Sequence, residues 1–494
     1  MDTATRVLVL GGGSAGFMAA LSLKKRLPDL SVRVIRSRDI GIIGVGEGST
    51  IALTRFLHDY LAVGQKKFHE TAQPTWKLGL KFLWGPRPYF HYTFGDQLNF
   101  KLHALPRENG FYCDREMEYE DLHSALMTHD RIFPRAPGGG PALHDRVAYH
   151  FENEKFVRFL EDYARAVGVA ILDDTVRDVE QDERGVSALA LASGRTEAAD
   201  LYVDCSGFGS LLLGKALGER FVSFRSSLFC ERAVVGGWDR TDEPIKPYTT
   251  CETMESGWCW QIEHENRINR GYVYSPAFVS DEEAEKEFRA KSAKVGPTRV
   301  VRFVSGRYER AWVKNVVAIG NAGGFVEPLE ATALGIICNR SQRLAEMLLY
   351  GEGEITPTQV ALYNRENAEN WDSVRDFLAV HYRFNTRLDT PFWRECREKV
   401  ELAGAAPVVE YFRENGPNTF WAPGLFGPFE AFGMAGYLAM LVGQQVPHRR
   451  VREAPDQERR VWEQYRQKNR ETALKAMTVK DALAAIRSPK WNWV

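Results

Sequence analysis

The chain has 494 residues, 44% hydrophobic and 26% charged, with a formal net charge of −1. That is enough chain for roughly two to four domain-sized units or one large body with a sizeable core. A balance so close to neutral gives no reason to expect nucleic acid or an anionic membrane surface as a partner. The seven cysteines are scattered with no Cys-x-x-Cys pair, so neither a disulfide framework nor a metal site is expected, and a cytoplasmic setting is. No signal peptide is expected ahead of the first strand, and no apolar run reaches membrane-spanning length.

In chain order, the apolar run Val7–Leu10 leads into Gly11-Gly12-Gly13-Ser14-Ala15-Gly16, and an alanine-rich segment follows. This predicts strand, tight turn and helix. The glycines have the G-x-G-x-x-G spacing: Gly11 for the turn, Gly13 for close approach of a phosphate, Gly16 for packing helix on strand. Free N–H groups and the positive dipole end at a helix start suit a pyrophosphate. A tight turn without a ligand has the same spacing. After the next strand, Val32–Ile35, a dinucleotide fold usually carries an acidic residue for a ribose hydroxyl. Here the sequence reads Arg36-Ser37-Arg38, which argues against a plain NAD site and leaves NADP, or a flavin held mainly by its pyrophosphate.

Gly41, Gly44, Gly46 and Gly48 make a loop able to lie flat along a ligand, with Ser49 as expected N-cap of a helix over 50–62. In Trp76–Trp84 the residues alternate. Trp76, Leu78, Leu80, Phe82 and Trp84 share one face of a strand; Lys77, Gly79, Lys81 and Leu83 share the other. Pattern alone favours a half-exposed strand with both lysines solvated. The sharper alternative is that one lysine points into a cavity, where burial would tune it. Five aromatic rings follow within 89–94. Residues 96–145 are irregular and rich in Pro and Gly. A helix at about 152–167, a strand at 169–172 and a β stretch over 175–191 come next. The strand at 258–262 pairs with 271–275, and Ser280–Glu283 is a capping box opening a helix to about 293. Beyond Ile336 the pattern is mainly helical, interrupted by an aromatic, Pro/Gly-rich stretch at 417–432. Three apolar runs end in glycine, near 11, 207 and 320. A single terminal nucleotide domain would need only the first, whereas a flavoprotein body assembled from distant segments would show all three.

The segments GGGSAG, GVGEGST, PTWKLGLKF, VDCSGF, SGWCWQI, RGYVYS and GNAGGFVEPLEAT, followed by Asp389-Thr390-Pro391-Phe392-Trp393, resemble the flavin-dependent tryptophan halogenase family, in order, from about residue 5 to 395. The resemblance implies an α/β fold: a Rossmann-like, FAD-binding flavoprotein monooxygenase body with inserted substrate-binding segments and a mainly helical C-terminal region. FAD-binding segments would cover 1–95, 146–225 and 311–345, with an irregular insertion at 96–145, a substrate-side β segment at 226–310 and a helical substrate-binding region at 346–494. It further implies that reduced FAD, O₂ and chloride or bromide make hypohalous acid, which Lys77 holds beside an electron-rich aromatic. The hold would be a haloamine, which needs a neutral amine, or a hydrogen bond, which an ammonium can make.

By the same resemblance, Glu330 would stabilise the cationic arene and take its proton, with Glu327 the nearest decoy. Backbone at Thr332 and Ala333 would bind halide. Gly11, Gly13, Ser14, Ala15, Gly16, Val45, Glu47, Val176, Gly320, Asn321 and Leu334 would hold FAD, and Tyr92 and Phe94 would flank the substrate. A separate NAD(P)H-dependent flavin reductase is the implied partner, and a homodimer is possible. The sequence departs from the family at Glu263, where W-x-W-x-I is followed by Pro, and at Ala331-Thr332-Ala333, which replaces Ser-Thr-Gly. No counterpart of the grip on the amino-acid part of tryptophan is evident near 410–432, where Phe426, Phe429 and Phe432 are candidate pocket walls or core residues. Indole, another electron-rich arene, or an indole on a larger molecule is therefore expected over free tryptophan. A flavin hydroxylase of aromatics, or a non-catalytic flavin-binding protein, is the competing reading.

Overall fold

The computed structural model of the chain describes residues 4–41, 46–95, 98–450 and 452–493. The apolar run Arg6–Leu10 is the middle of a six-stranded sheet in the order 312–313, 316–318, 201–204, 6–10, 31–36, 170–173. All neighbours from 316–318 to 170–173 run parallel. Buried on both faces, such strands need continuous apolar runs, as Val7-Leu8-Val9-Leu10 supplies. The helices Ser14–Arg26 and Ala333–Tyr350 pack against each other beside this sheet.

A second sheet of seven strands has the order 299–302, 232–239, 267–274, 257–263, 249–254, 79–83, 90–93. Gly257–Glu263 and Arg267–Tyr274 pair antiparallel, as their alternation requires. A small third sheet joins 47–48, 148–151 and 75–77. The segment expected to be one strand over 76–84 is therefore two strands in two sheets. It breaks at Leu78, whose N–H donates to the Pro247 carbonyl at 2.7 Å. The break suits Gly79, where a Cβ would overlap the Tyr92 carbonyl oxygen.

Beyond the parallel sheet lie the long helix Pro357–Phe384 and the helices Pro391–Lys399, Ala406–Asn415, Gly433–Gly443, Asp456–Leu474 and Val479–Ile486. Gly433–Gly443 packs on both Pro357–Phe384 and the strand Phe90–Thr93. Between these helices and the large sheet is a core rich in rings, including Phe82, Trp84, Trp258, Phe377, Tyr382 and Trp393. The irregular region 96–145 holds, among its described residues, the short helices Asn109–Cys113 and Leu122–Thr128. The capping box at Ser280–Glu283 forms as expected and opens the helix Asp281–Lys291. Ser49 is not a cap. Thr50 precedes the helix Ile51–Arg55, and the Ser49 hydroxyl accepts the Tyr149 N–H at 2.9 Å, tying the glycine loop to the small sheet. Among the described residues, no helix is long and apolar enough to cross a membrane.

Candidate functional site

Three parallel strands deliver the three glycine punctuations to one place. Gly11 has φ +125°, and a Cβ there would overlap the Cys205 carbonyl oxygen just ahead of Gly207. Gly320 has φ +73°, and its Cβ would come within 2.8 Å of the Ala15 Cβ. A Cβ on Gly16 would overlap the Gly11 carbonyl oxygen, whereas the space beside Gly13 is open. Gly13 supplies no side-chain cap, and no acidic residue lies in the first turn of Ser14–Arg26. The amides of Ser14, Ala15 and Gly16 thus begin a helix with uncompensated positive character next to open space, which fits a pyrophosphate.

Arg36 and Arg38, which had argued against a plain NAD site, are both engaged. Arg36 pairs with Glu161 at 2.9 Å and Arg38 with Asp173 at 3.0 Å. Val176 is half-buried at the start of the strand Val176–Asp182, beside Thr175, whose hydroxyl donates to Ser37 Oγ at 2.8 Å. Glu47 pairs with Phe151 in the small sheet and accepts from Asn153 Nδ2 at 2.6 Å; desolvation pushes its carboxyl up to about 7. Val45 lies outside the described residues. Asn321 is half-buried, and Leu334 is buried in the first turn of Ala333–Tyr350. That helix also has no acidic residue in its first turn, and the buried Thr332 Oγ1 at its start has no partner among the described residues. An unpartnered hydroxyl at a helix start without a carboxylate is chemistry that suits an anion.

Lys77 is 0% exposed, so the solvated reading of this lysine is overturned. Its Nζ donates to the Ser49 carbonyl at 3.1 Å and lies 5.6 Å from the centre of the Phe94 ring. Burial lowers its pKa from 10.5 to about 8, against the smaller opposing effects of Cys251 and Glu330. Lys81, beyond the break, keeps partial exposure and sits over the Tyr89 ring at 4.0 Å. One residue of break at Leu78 separates a buried amine from an ordinary half-exposed one.

The two glutamates of FVEPLEAT are also separated by the fold. Neither is in the first turn of the following helix, which starts at Ala333. Glu327 is 0% exposed; Trp258 Nε1–H donates to its Oε1 at 2.9 Å and the Tyr382 hydroxyl donates to the same oxygen. Desolvation pushes its carboxyl up to about 7. Glu327 therefore anchors the first tryptophan of the W-x-W motif. Glu330 sits at φ +73° and Ala331 at φ +56°, two successive non-glycine residues in the left-handed region. Such backbone costs on the order of 1–3 kcal/mol per residue and clusters at functional sites. Glu330 is 2% exposed, and its Oε1 faces His381 Nε2 at 2.8 Å. His381 Nδ1–H donates to the Phe377 carbonyl at 2.9 Å, so one proton lies between Nε2 and the carboxyl, from whichever side it is donated.

His381 was not among the residues singled out from the sequence. It is 51 positions from Glu330, inside an apolar helical run, where a lone histidine looks like core. The ring stack continues outward. Phe377 meets His381 edge-on at 4.8 Å, Phe432 stacks on Phe377 at 3.9 Å, and Tyr92 lies 6.1 Å from Phe377. Tyr92 and Phe94 thus flank two different groups: Phe94 is beside Lys77, and Tyr92 is beside Phe377 under Gly436. Of the three phenylalanines near the C-terminal stretch, Phe432 joins this stack, Phe426 packs on Tyr437 at 5.5 Å, and the Phe429 carbonyl accepts from Asn370. Glu263, where the motif has Pro, is 1% exposed and paired with Arg240 at 2.6 Å.

The family model described as tryptophan halogenase matches residues 6–458. Tryptophan 6-halogenase ThaL of Streptomyces albogriseolus is 33% identical over 83% of this chain and 82% of its own. Among solved structures, MibH, a lanthipeptide tryptophan 5-halogenase, superposes with a TM-score of 0.88 at 36% identity over 98% of this chain and 93% of its own. BrvH, a flavin-dependent halogenase from Brevundimonas sp. BAL3, does so at 0.86 and 28% identity over 98% and 99%. The chain belongs to the tryptophan halogenase family and is a flavin-dependent halogenase.

Proposed function

We propose that the protein halogenates an electron-rich, indole-type arene, using chloride or bromide, O₂ and FADH₂ from a separate reductase. The observation that carries this reading is a lysine, Lys77, buried at 0% exposure in a chain that also buries Glu330 on left-handed backbone against His381, while the glycine cradle lies on other elements. Gly11–Gly16, Glu47, Gly320, Asn321 and Leu334 would hold the flavin, which when reduced would activate O₂ as the two-electron oxidant of halide to hypohalous acid. Lys77 then holds the oxidant as an ammonium hydrogen-bond donor. Halogen passes to the arene carbon, the hydroxide left from the oxidant takes a proton from the Lys77 ammonium and leaves as water, and the carbon's proton goes to Glu330, whose later release of it to Lys77 resets the site. Thr332 and Ala333 are the halide site of this scheme, and Tyr92 and Phe94 its substrate walls.

The substrate is read as an indole carried on something larger than free tryptophan. Support comes from the stretch 417–432, which exposes Phe420 (77%) and Trp421 (66%), and from the likeness to MibH, which acts on a lanthipeptide. Purified protein with FAD, a reductase, NADH, O₂ and bromide, offered indole, tryptophan and tryptophan-containing peptides, tests the reading by mass spectrometry. A bromine isotope pattern on the indole supports it. Oxygen insertion without bromine would make the enzyme a hydroxylase instead.

A further inference from the structure

The carboxyl of Glu330 is buried at 2% exposure, and its hydrogen-bond partner among the described residues is a single atom, His381 Nε2, 2.8 Å from Oε1. That atom comes from the long helix Pro357–Phe384, a different element from the left-handed turn that carries Glu330. The imidazole is itself fixed. It is 0% exposed, and the rings of Phe377, Phe82 and Trp84 pack on it with centroids at 4.8, 5.5 and 6.4 Å. Trp84 Nε1–H also donates to the His381 carbonyl at 2.9 Å, which ties the helix to the end of the strand Gly79–Leu83.

The hydrogen bonds fix where the protons are. The Phe377 carbonyl, 2.9 Å from Nδ1, can only accept, so Nδ1 carries hydrogen. Bare lone pairs on Nε2 and Oε1 would repel at 2.8 Å, so one proton lies between them. Whichever of the two atoms carries it, Oε1 is engaged, whereas Oε2 has no hydrogen bond among the described residues. The charge of Glu330 reaches Lys77 on the small sheet and Cys251 and Tyr92 on the large one. None of these three hydrogen-bonds the carboxyl among the described residues.

We infer that His381 is the positioning residue that gives separate work to the two oxygens of Glu330: Nε2 holds Oε1, and Oε2 takes the proton from the halogenated arene carbon. The role rests on the halogenation proposed above, with Glu330 as its base. In this step the C–H bond breaks, its electron pair returns to the ring, and the proton bonds to Oε2. The proton shared with His381 then rests on Nε2, so the pair passes from neutral to singly positive. Release of the proton from Oε2 to the neutral Lys77 amine restores it. Without Nε2 the buried carboxylate would face no donor, and an apolar surround favours the neutral acid, which takes up no proton.

The test compares H381F, which keeps a ring and removes the nitrogens, with H381Q, whose amide still donates to Oε1. Bromination is followed with bromide, reductase-supplied FADH₂, the best arene of the panel above and its ring-deuterated form. For H381F a loss of about tenfold to a hundredfold in kcat is expected, at or below the lower edge of what removal of a general base costs. KM for the arene and flavin binding stay as in the parent. Deuterium on the ring slows H381F and not the parent, because only in the variant does loss of the carbon's proton limit the rate. H381Q recovers most of the kcat and shows no isotope effect. H381M takes the place of H381F should the phenyl ring disturb packing. Parent-level kcat without an isotope effect in H381F or H381M overturns the role of His381, as does an H381Q no better than H381F. E330Q, run beside them, separates the failures. An impaired E330Q with an unimpaired H381F removes the role of His381 alone, and an unimpaired E330Q removes the base on which that role depends. A parent that brominates none of the arenes removes the halogenase reading and the role of His381 together.

Discussion

The glycine cradle proposed for the nucleotide and the Lys77–Glu330 end proposed for the reaction are built by opposite means. Around Gly11, Gly16 and Gly320 the working groups are main-chain amides, and side chains matter chiefly by being absent. Around Lys77 and Glu330 the working groups are side chains, buried at 0% and 2% exposure and held by a carbonyl, a histidine and rings from distant segments. The difference teaches where each end is fragile. The first fails when a Cβ is added, the second when a functional group is lost.

The comparison can be broken most sharply at Lys77. Lys77→Met is expected to reduce halogenation below detection while flavin binding, followed by fluorescence titration, is unchanged; residual turnover in that variant would end the assigned role. Glu330→Gln keeps volume and hydrogen bonding but removes the carboxylate proposed as the base. A fall of roughly 10²–10⁴ in kcat is expected, as for loss of a general base, with little change in flavin affinity. Gly11→Ala probes the other end. Its strained φ and the overlap with the Cys205 carbonyl should weaken FAD by tenfold or more, with turnover largely recovered at saturating FAD.

The smallest effect is on stability, and its sign is informative. Lys77 titrates at about 8 in the folded protein against 10.5 for an ordinary lysine. Between those values the folded state binds fewer protons than the unfolded one, so the lysine's contribution to stability improves as pH rises from 8 to 10.5. Below 8 the penalty is full. Lys77→Met should therefore stabilise the fold at pH 7, by on the order of 3 kcal/mol. The gain should shrink toward pH 10, as chemical denaturation at several pH values would show. Holding the oxidant by an ammonium also requires activity to fall as pH rises through about 8.

The main-chain half was the more legible in the sequence. Gly11, Gly13 and Gly16 announce their turn because backbone needs are written locally, as glycine spacing after an apolar strand. The capping box at Ser280 and the hairpin at 257–274 are legible for the same reason. Side-chain sites are not written locally. Alternation placed Lys77 and Lys81 together, and it took the Leu78 contact with Pro247 to send them into different sheets. Ser49 had the chemistry of a cap but met a tertiary partner in Tyr149 first. His381 carries no signal until the helix around it is docked against Glu330. The family resemblance supplied Lys77 and Glu330, which residue patterns alone left open.

The ring stack from Phe432 through Phe377 and His381 to Glu330 has a consequence for adaptation of this enzyme. Phe432 belongs to the aromatic, Pro/Gly-rich stretch 417–432, yet it is three contacts from Glu330. Grafting a relative's 417–432 segment would then change turnover number as well as substrate range. A laboratory search for new substrates in that segment should carry Phe432 along unchanged, or vary it together with Phe377.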